Sequence, residues 1–162
     1  PALADIRCRL QIVGSLSDSL LSQLKEHQIE YENWTNLSLH DVVKKYEQCD
    51  LVTFCSTHEG FGMPIVEANA VGRPVVTSNC SSMPEIAGNA ACLVDPQNVE
   101  SIKLGVERVI RDVNYRSKLI TNGQFNLRRF NSKTIAQQYL DIYREIHKAT
   151  ENPEQMEKTT AT

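Results

Sequence analysis

Residues 51–78 read LVTFCSTHEGFGMPIVEANAVGRPVVTS, and no other stretch limits the fold so tightly. Two short β-branched apolar runs, 51–55 and 73–78, flank a helical segment at 64–71 that Gly72 ends. Successive strands joined through a helix run parallel, since that crossover is what a parallel pair requires. Parallel strands in turn need helices covering their faces.

The rest of the chain repeats the alternation. A strand is predicted at 8–13, and a helix at 18–28 with Leu20, Leu21 and Leu24 on one face. A weaker strand follows at 29–32, then a helix at 38–49 with Leu39, Val42, Val43 and Tyr46 at helical spacing. Ser38 is its predicted N-cap, and Asp41 takes the capping-box position that Glu or Gln usually fills. A helical turn at 81–88, where Glu85 marks the helix start, leads to a strand at 91–95. The helix at 98–112 carries one stripe of Val99, Ile102, Val106, Val109 and Ile110. Two more helices are predicted near 114–128 and 132–147. Ile135, Tyr139, Ile142, Tyr143 and Ile146 give the last an apolar face suited to a core or to a partner domain. Arg128 and Arg129 read as a solvated basic pair, and 150–162 as a polar, disordered tail.

This order predicts an α/β domain, a Rossmann-like doubly wound parallel sheet, over residues 1–149. Such a domain ordinarily opens with a strand and a long helix ahead of a segment like RLQIVG. Here Pro1-Ala2-Leu3-Ala4-Asp5 and a few more residues precede it, so the first strand and helix are expected to be missing by N-terminal truncation. Ligands of these folds sit beyond the C-terminal strand ends, which is where HEGFG follows strand 51–55.

Composition excludes several function classes. The 162 residues fit one domain, and 41% hydrophobic with 23% charged residues is a soluble globular balance. Seventeen basic against 20 acidic residues leave a net charge of −3, with no pull toward nucleic acid. Apolar runs are too short for a transmembrane segment, and Asp5, Arg7 and Arg9 break any signal-peptide pattern. The five cysteines lack C-x-x-C spacing, which predicts reduced thiols in a cytoplasmic protein rather than zinc or Cys-His catalysis.

Within HEGFGMPIVE, Pro64 suits the first turn of a helix, and Gly60 and Gly62 bring bare backbone N–H groups to its positive end. An anion such as a diphosphate fits there. Glu67, about one turn into the helix, can accept hydrogen bonds from vicinal hydroxyls such as those of a ribose. Glu59 precedes the glycines and can face a second polyol, which together describes a nucleotide sugar. A plain strand-to-helix turn with solvated glutamates fits the same spacing. A dinucleotide fingerprint does not, because Met63, Pro64 and Ile65 follow the G-x-G and the third glycine is absent.

EGFGMPIVEANAVGRPVVTSNCSSMPEIAGNAACLVDP resembles the C-terminal, donor-binding domain of GT-B retaining glycosyltransferases, the group 1 (family 4) enzymes that include mannosyl-, glucosyl- and sucrose-synthesising members. The resemblance spans residues 8–147, and its hallmark is a glutamate pair with seven residues between, as in Glu59 and Glu67. It implies that Glu59 is catalytic, touching the transferred sugar. By the same resemblance Gly60, Phe61, Gly62, Met63 and Pro64 bind the donor sugar or its phosphates, and Glu67 binds the ribose. Asn33 and Trp34 match the nucleobase position, although Trp34 departs from the commoner pattern and also suits plain loop packing. Gly14 and Ser15 would border the same cleft.

The implied reaction is hexosyl transfer with retention, in polysaccharide biosynthesis. A nucleotide-diphosphate sugar is the donor substrate, with no cofactor and no metal required. Partners would be the nucleotide sugar and an N-terminal acceptor-binding domain of the parent chain, which could sit peripherally at a membrane. The Arg and Lys that family members usually add have no counterpart in this chain. Alone it is expected to be inactive, and apolar surface exposed by truncation would favour self-association. A nucleotide-sugar epimerase of the same fold and a non-catalytic nucleotide-binding module remain as alternatives, with a dehydrogenase domain disfavoured.

Overall fold

The computed structural model describes residues 1–151, so most of the tail expected at 150–162 lies outside the described residues. The strands are β1 (Arg9–Val13), β2 (Glu30–Trp34), β3 (Val52–Phe54), β4 (Val75–Ser78) and β5 (Cys92–Val94). The helices are α1 (Asp18–Glu26), α2 (Leu39–Gln48), α3 (Met63–Ala70), α4 (Met83–Ala87), α5 (Val99–Arg111), α6 (Val113–Asn126) and α7 (Ser132–Glu151). A 3₁₀ turn at Leu127–Phe130 separates α6 from α7. The chain forms two compact units, Pro1–Leu127 and a second starting at Arg128.

Every strand pairing is parallel, as the alternation requires. The strands nonetheless fall into two sheets, β1-β2 and β3-β4-β5, instead of one. Both sheets feed their C-terminal ends into glycine- or serine-bearing loops. Val13 pairs with Trp34 at the end of the first, and Ser78 with Val94 at the end of the second.

The core belongs to the three-stranded sheet. All four residues of β4 are buried, and since alternate side chains point to opposite faces, both faces of β4 are covered. Val76, Cys92 and Val94 pack with Val106, Val109 and Leu119, and Leu3 and Ile6 lie against this cluster. Lys103 Nζ, 2.7 Å from Asp5, ties the N-terminal segment to α5. Gly105 lets α5 approach the sheet, because a Cβ there would fall inside the contact distance of Val94 Cγ1. A buried polar tie joins three helices: Asn126 Nδ2 donates to Asn69 Oδ1 (3.1 Å) and to the Ile86 carbonyl (2.9 Å).

The first sheet is covered thinly. Neither α1 nor α2 has a buried residue; Leu20 and Leu21, placed on the core face of α1 by their spacing, stand exposed. Two strands offer too narrow a platform to cover such a stripe. Ser38 caps α2 by accepting from Asp41 N–H (3.2 Å), but its hydroxyl also donates to the Asp41 carboxylate (2.6 Å). The Asp41 carboxylate is thus held by the cap hydroxyl, which lowers its pKa, with a smaller contribution from the Ser38 backbone, in the reciprocal sense of a capping box. In the second unit, α7 keeps Tyr139, Ile142, Tyr143 and Ile146 exposed, with the two tyrosine rings 6.4 Å apart.

All five cysteines are free, and burial, with a smaller contribution from Cys92, raises the Cys55 thiol to about 11. Native Cys55 should therefore alkylate at pH 8 at least about tenfold more slowly than in the unfolded chain, where the pKa is near 8.5. Mass-mapped iodoacetamide labelling with and without denaturant checks this, and equal rates would contradict it. Gly105→Ala should overpack the α5–sheet contact and cost about 1–3 kcal/mol in urea unfolding, whereas a change under 0.5 kcal/mol would show that Val94 yields freely.

Candidate functional site

The loop from β3 to α3 holds the first group of candidate residues. Gly62 is the N-cap of α3 at φ 104°, a left-handed conformation, and offers no side chain to cap the helix. A Cβ at Gly62 would lie 3.2 Å from Ile65 Cδ1, so both the torsion and the fit favour glycine. Met63 opens the helix and Pro64 sits in its first turn, as the sequence predicts. Among the described residues, the N–H groups of Gly60 and Gly62 have no protein acceptor. They lie at the positive end of α3, where an anion gains both hydrogen bonds and the helix dipole.

Two serines after β4 fix the path of this loop. Ser81 Oγ accepts from Glu59 N–H (3.2 Å) and donates to the Glu59 carbonyl (2.9 Å). Ser82 Oγ lies 3.0 Å from the Glu59 carbonyl and 2.9 Å from that of Phe61, and its single proton is shared between them. Ser81 holds a left-handed backbone at φ 56°, which is uncommon for serine and is compensated by its two bonds to Glu59. Glu59 is thereby set by its own backbone, and its side chain stays half-buried. Phe61 and Met63 are exposed beside it.

Glu67 lies in the second turn of α3, half-buried, where Tyr46 Oη of α2 donates to its Oε2 at 2.7 Å. Arg73, just past α3, donates through Nε to the Tyr46 carbonyl (3.1 Å) and through Nη2 to that of Glu47. Neither Tyr46 nor the serine pair was singled out by the sequence. Tyr46 reads there as one more apolar-stripe residue, and Ser81 and Ser82 only as part of a motif.

The second group sits at the ends of β1 and β2. Gly14 N–H donates to the Trp34 carbonyl (2.9 Å), while Asn33 Nδ2 donates to the Gly14 (2.7 Å) and Ile12 (3.1 Å) carbonyls. The Asn33 amide thus locks the turn after β1, and Ser15 follows it exposed. Trp34 is partly covered: Lys45 Nζ lies 3.6 Å from its ring centroid, a cation–π contact. The ring borders a hollow of ≈ 310 Å³ shared with Leu37, Asp41, Lys44 and Gln48. A larger open depression of ≈ 680 Å³ lies between Leu104 and Asn114 at the α5–α6 corner and contains no candidate residue. Neither hollow includes Glu59 or Glu67. The two groups meet through α2, which carries Lys45 against Trp34 and Tyr46 against Glu67 on successive residues.

Among the described residues, no helix is long and apolar enough to cross a membrane. No set of three or more His, Cys, Asp or Glu side chains there is grouped to hold a metal ion.

Several solved structures share this fold. Sucrose-phosphate synthase from Thermosynechococcus elongatus superposes with TM-score 0.79 at 22% identity, over 91% of this chain and 41% of that one. Anabaena Alr3699/HepE, solved with UDP and glucose, gives TM-score 0.79 at 24% identity, over 89% and 43%. A glycosyltransferase from Rickettsia africae gives 0.75 at 22%, over 91% and 43%. The chain thus spans about two-fifths of the length of these structures. No curated protein sequence matches it significantly. The family model for glycosyl transferases group 1 matches residues 2–125. The α/β parallel fold and the resemblance carried by residues 59–96 agree with that match, and the chain belongs to the group 1 glycosyl transferases.

Proposed function

We propose that this chain is the donor-binding half of a retaining glycosyltransferase that moves a hexosyl group from a nucleoside-diphosphate sugar to an acceptor. The observation that carries the reading is the loop at the head of α3. Its unpaired Gly60 and Gly62 amides sit between Glu59, pinned by Ser81, and Glu67, held by Tyr46. The solved structure of Alr3699/HepE with UDP and glucose, which shares the fold, supports a nucleotide sugar as the ligand class.

Chemically, the bond from the anomeric carbon to the diphosphate breaks and a bond to the acceptor oxygen forms with the configuration kept. Negative charge gathers on the leaving diphosphate, so the largest demand is for donors aimed at its oxygens. The Gly60 and Gly62 amides at the positive end of α3 meet part of that demand, with Met63 and Pro64 shaping the helix start. Glu59 reaches the transferred sugar near the reacting carbon, and Glu67 takes the ribose hydroxyls. Gly14, Ser15, Asn33 and Trp34 border the nucleoside end; since Lys45 covers part of the Trp34 ring, the base would meet the remaining ring surface or the backbone. The donor requires no metal in this reading, and a second α/β domain of the same polypeptide supplies the acceptor site.

The full-length polypeptide carrying this chain should release free nucleoside diphosphate from one member of a nucleotide-sugar panel in an acceptor-dependent way. Residues 1–162 alone should bind that donor weakly and transfer nothing; turnover above background would contradict the two-domain requirement. Removing the Glu59 charge in Glu59→Gln should lower kcat of the full-length enzyme by about 10²-fold or more, the scale of losing one transition-state contact. Equal activity of the two proteins would take Glu59 out of the mechanism. Glu67→Ala should chiefly raise the donor KM, by about tenfold for the lost charged hydrogen bonds, with kcat changed less.

A further inference from the structure

Glu67 is a half-buried carboxylate on α3, and a recognition carboxylate without a partner must lose rotamer freedom each time it binds. In this structure one of its oxygens is already committed: Oε2 accepts from Tyr46 Oη at 2.7 Å. We propose that Tyr46 is a positioning residue which fixes the Glu67 carboxylate, leaving Oε1 to accept from the vicinal hydroxyls of the nucleoside ribose. The inference rests on the ribose-binding role given to Glu67 above.

Three features separate this arrangement from an incidental surface bond. First, the direction of donation is forced, because a carboxylate only accepts. Burial, reinforced by the Glu67 carboxylate itself, raises the Tyr46 pKa, so the hydroxyl keeps its proton throughout the neutral range. Second, the donor is itself anchored. Arg73 Nε and Nη2 reach the carbonyls of Tyr46 and Glu47, so the last turn of α2 is fixed to the chain leaving α3. A guanidinium at that turn also suits the negative end of the α2 dipole. Third, Tyr46 is half-buried, so its ring has few alternative rotamers to release the bond. The hydroxyl and the carboxylate come from residues 21 apart, on different helices of one compact unit.

Pre-orientation of this kind acts on discrimination between ligands that carry the hydroxyls and those that lack them, because the benefit is realised only when Glu67 has a hydroxyl to meet. The test is a ligand-observed NMR titration of the 162-residue chain with UDP, ADP and GDP. The one that binds is then compared with its 2′,3′-dideoxy counterpart. The wild-type chain should prefer the ribonucleotide by about tenfold, the scale of one charge-assisted hydrogen bond. Tyr46→Phe keeps the ring and its packing and removes only the hydroxyl. It should melt within about 2 °C of wild type, the shift allowed for a sub-kilocalorie change, yet cut the preference to about twofold. Glu67→Ala should abolish the preference, and Tyr46→Phe/Glu67→Ala should add nothing further.

Each alternative outcome is informative. A Tyr46→Phe chain that keeps the full wild-type preference, while Glu67→Ala loses it, overturns the positioning role and leaves the ribose reading of Glu67 standing. Nucleotide binding that is indifferent to the hydroxyls in the wild-type chain overturns both roles but leaves nucleotide binding itself. Binding of none of the three nucleotides at millimolar concentration removes the donor-site reading and this inference with it.

Discussion

The candidate site depends on a backbone constraint, the left-handed turn at Gly62 that converts β3 into α3. At φ 104° with Ile65 pressed beneath it, Gly62 starts the helix without a capping side chain. A helix begun that way leaves its first amides without a side-chain acceptor, and an N-cap Ser or Asp would have taken one of them. Other helices of the chain are capped by such side chains: Ser17, Ser38, Asn98 and Asp112 each accept from the first turn they precede. The short α4 also lacks a side-chain cap, but α3 differs from it in opening on a left-handed glycine, and that open end is the feature on which an anion-binding reading stands.

Around that turn the fold spends polar side chains on rigidity. Ser81 and Ser82 reach across from the loop after β4 to hold the backbone of Glu59 and Phe61, and the Thr77 hydroxyl donates to the Phe54 carbonyl at 2.7 Å beneath them. β4 is covered on both faces, so the platform from which these groups project is the best-packed part of the chain. The β1–β2 end is built differently. β1 and β2 form a separate pair under helices without buried residues, and the Asn33 amide secures the turn after β1. A rigid loop at the head of α3 beside a lightly packed β1–β2 end is the consequence, with α2 linking the two.

Much of this was legible in the sequence because it is local. Strand–helix alternation, the Ser38 cap, Pro64 in a first turn and Gly72 after α3 each follow from backbone preferences within a few residues. So does the placement of Glu59 and Glu67 around a helix start. Three things were not legible, for related reasons. Whether β1 joins β3 in one ladder depends on pairing between strands about 40 residues apart, and the observed sheets are separate. The stripe of Leu20 and Leu21 announces an apolar face but not whether anything covers it. Tyr46 fits a helical stripe as well as Val42 does, and only its partner across the fold shows that the hydroxyl is engaged. Periodicity reports which side of a helix is apolar; it carries no information about what a polar atom on that side meets.

Backbone amide NMR of the 162-residue chain during titration with a nucleoside diphosphate tests the central claim most directly. The account predicts that the largest shifts fall on the Gly60, Gly62 and Met63 amides, with no comparable change around Leu104–Asn114 at the larger depression. Shifts confined to that depression, with the head of α3 unmoved at saturation, would contradict it.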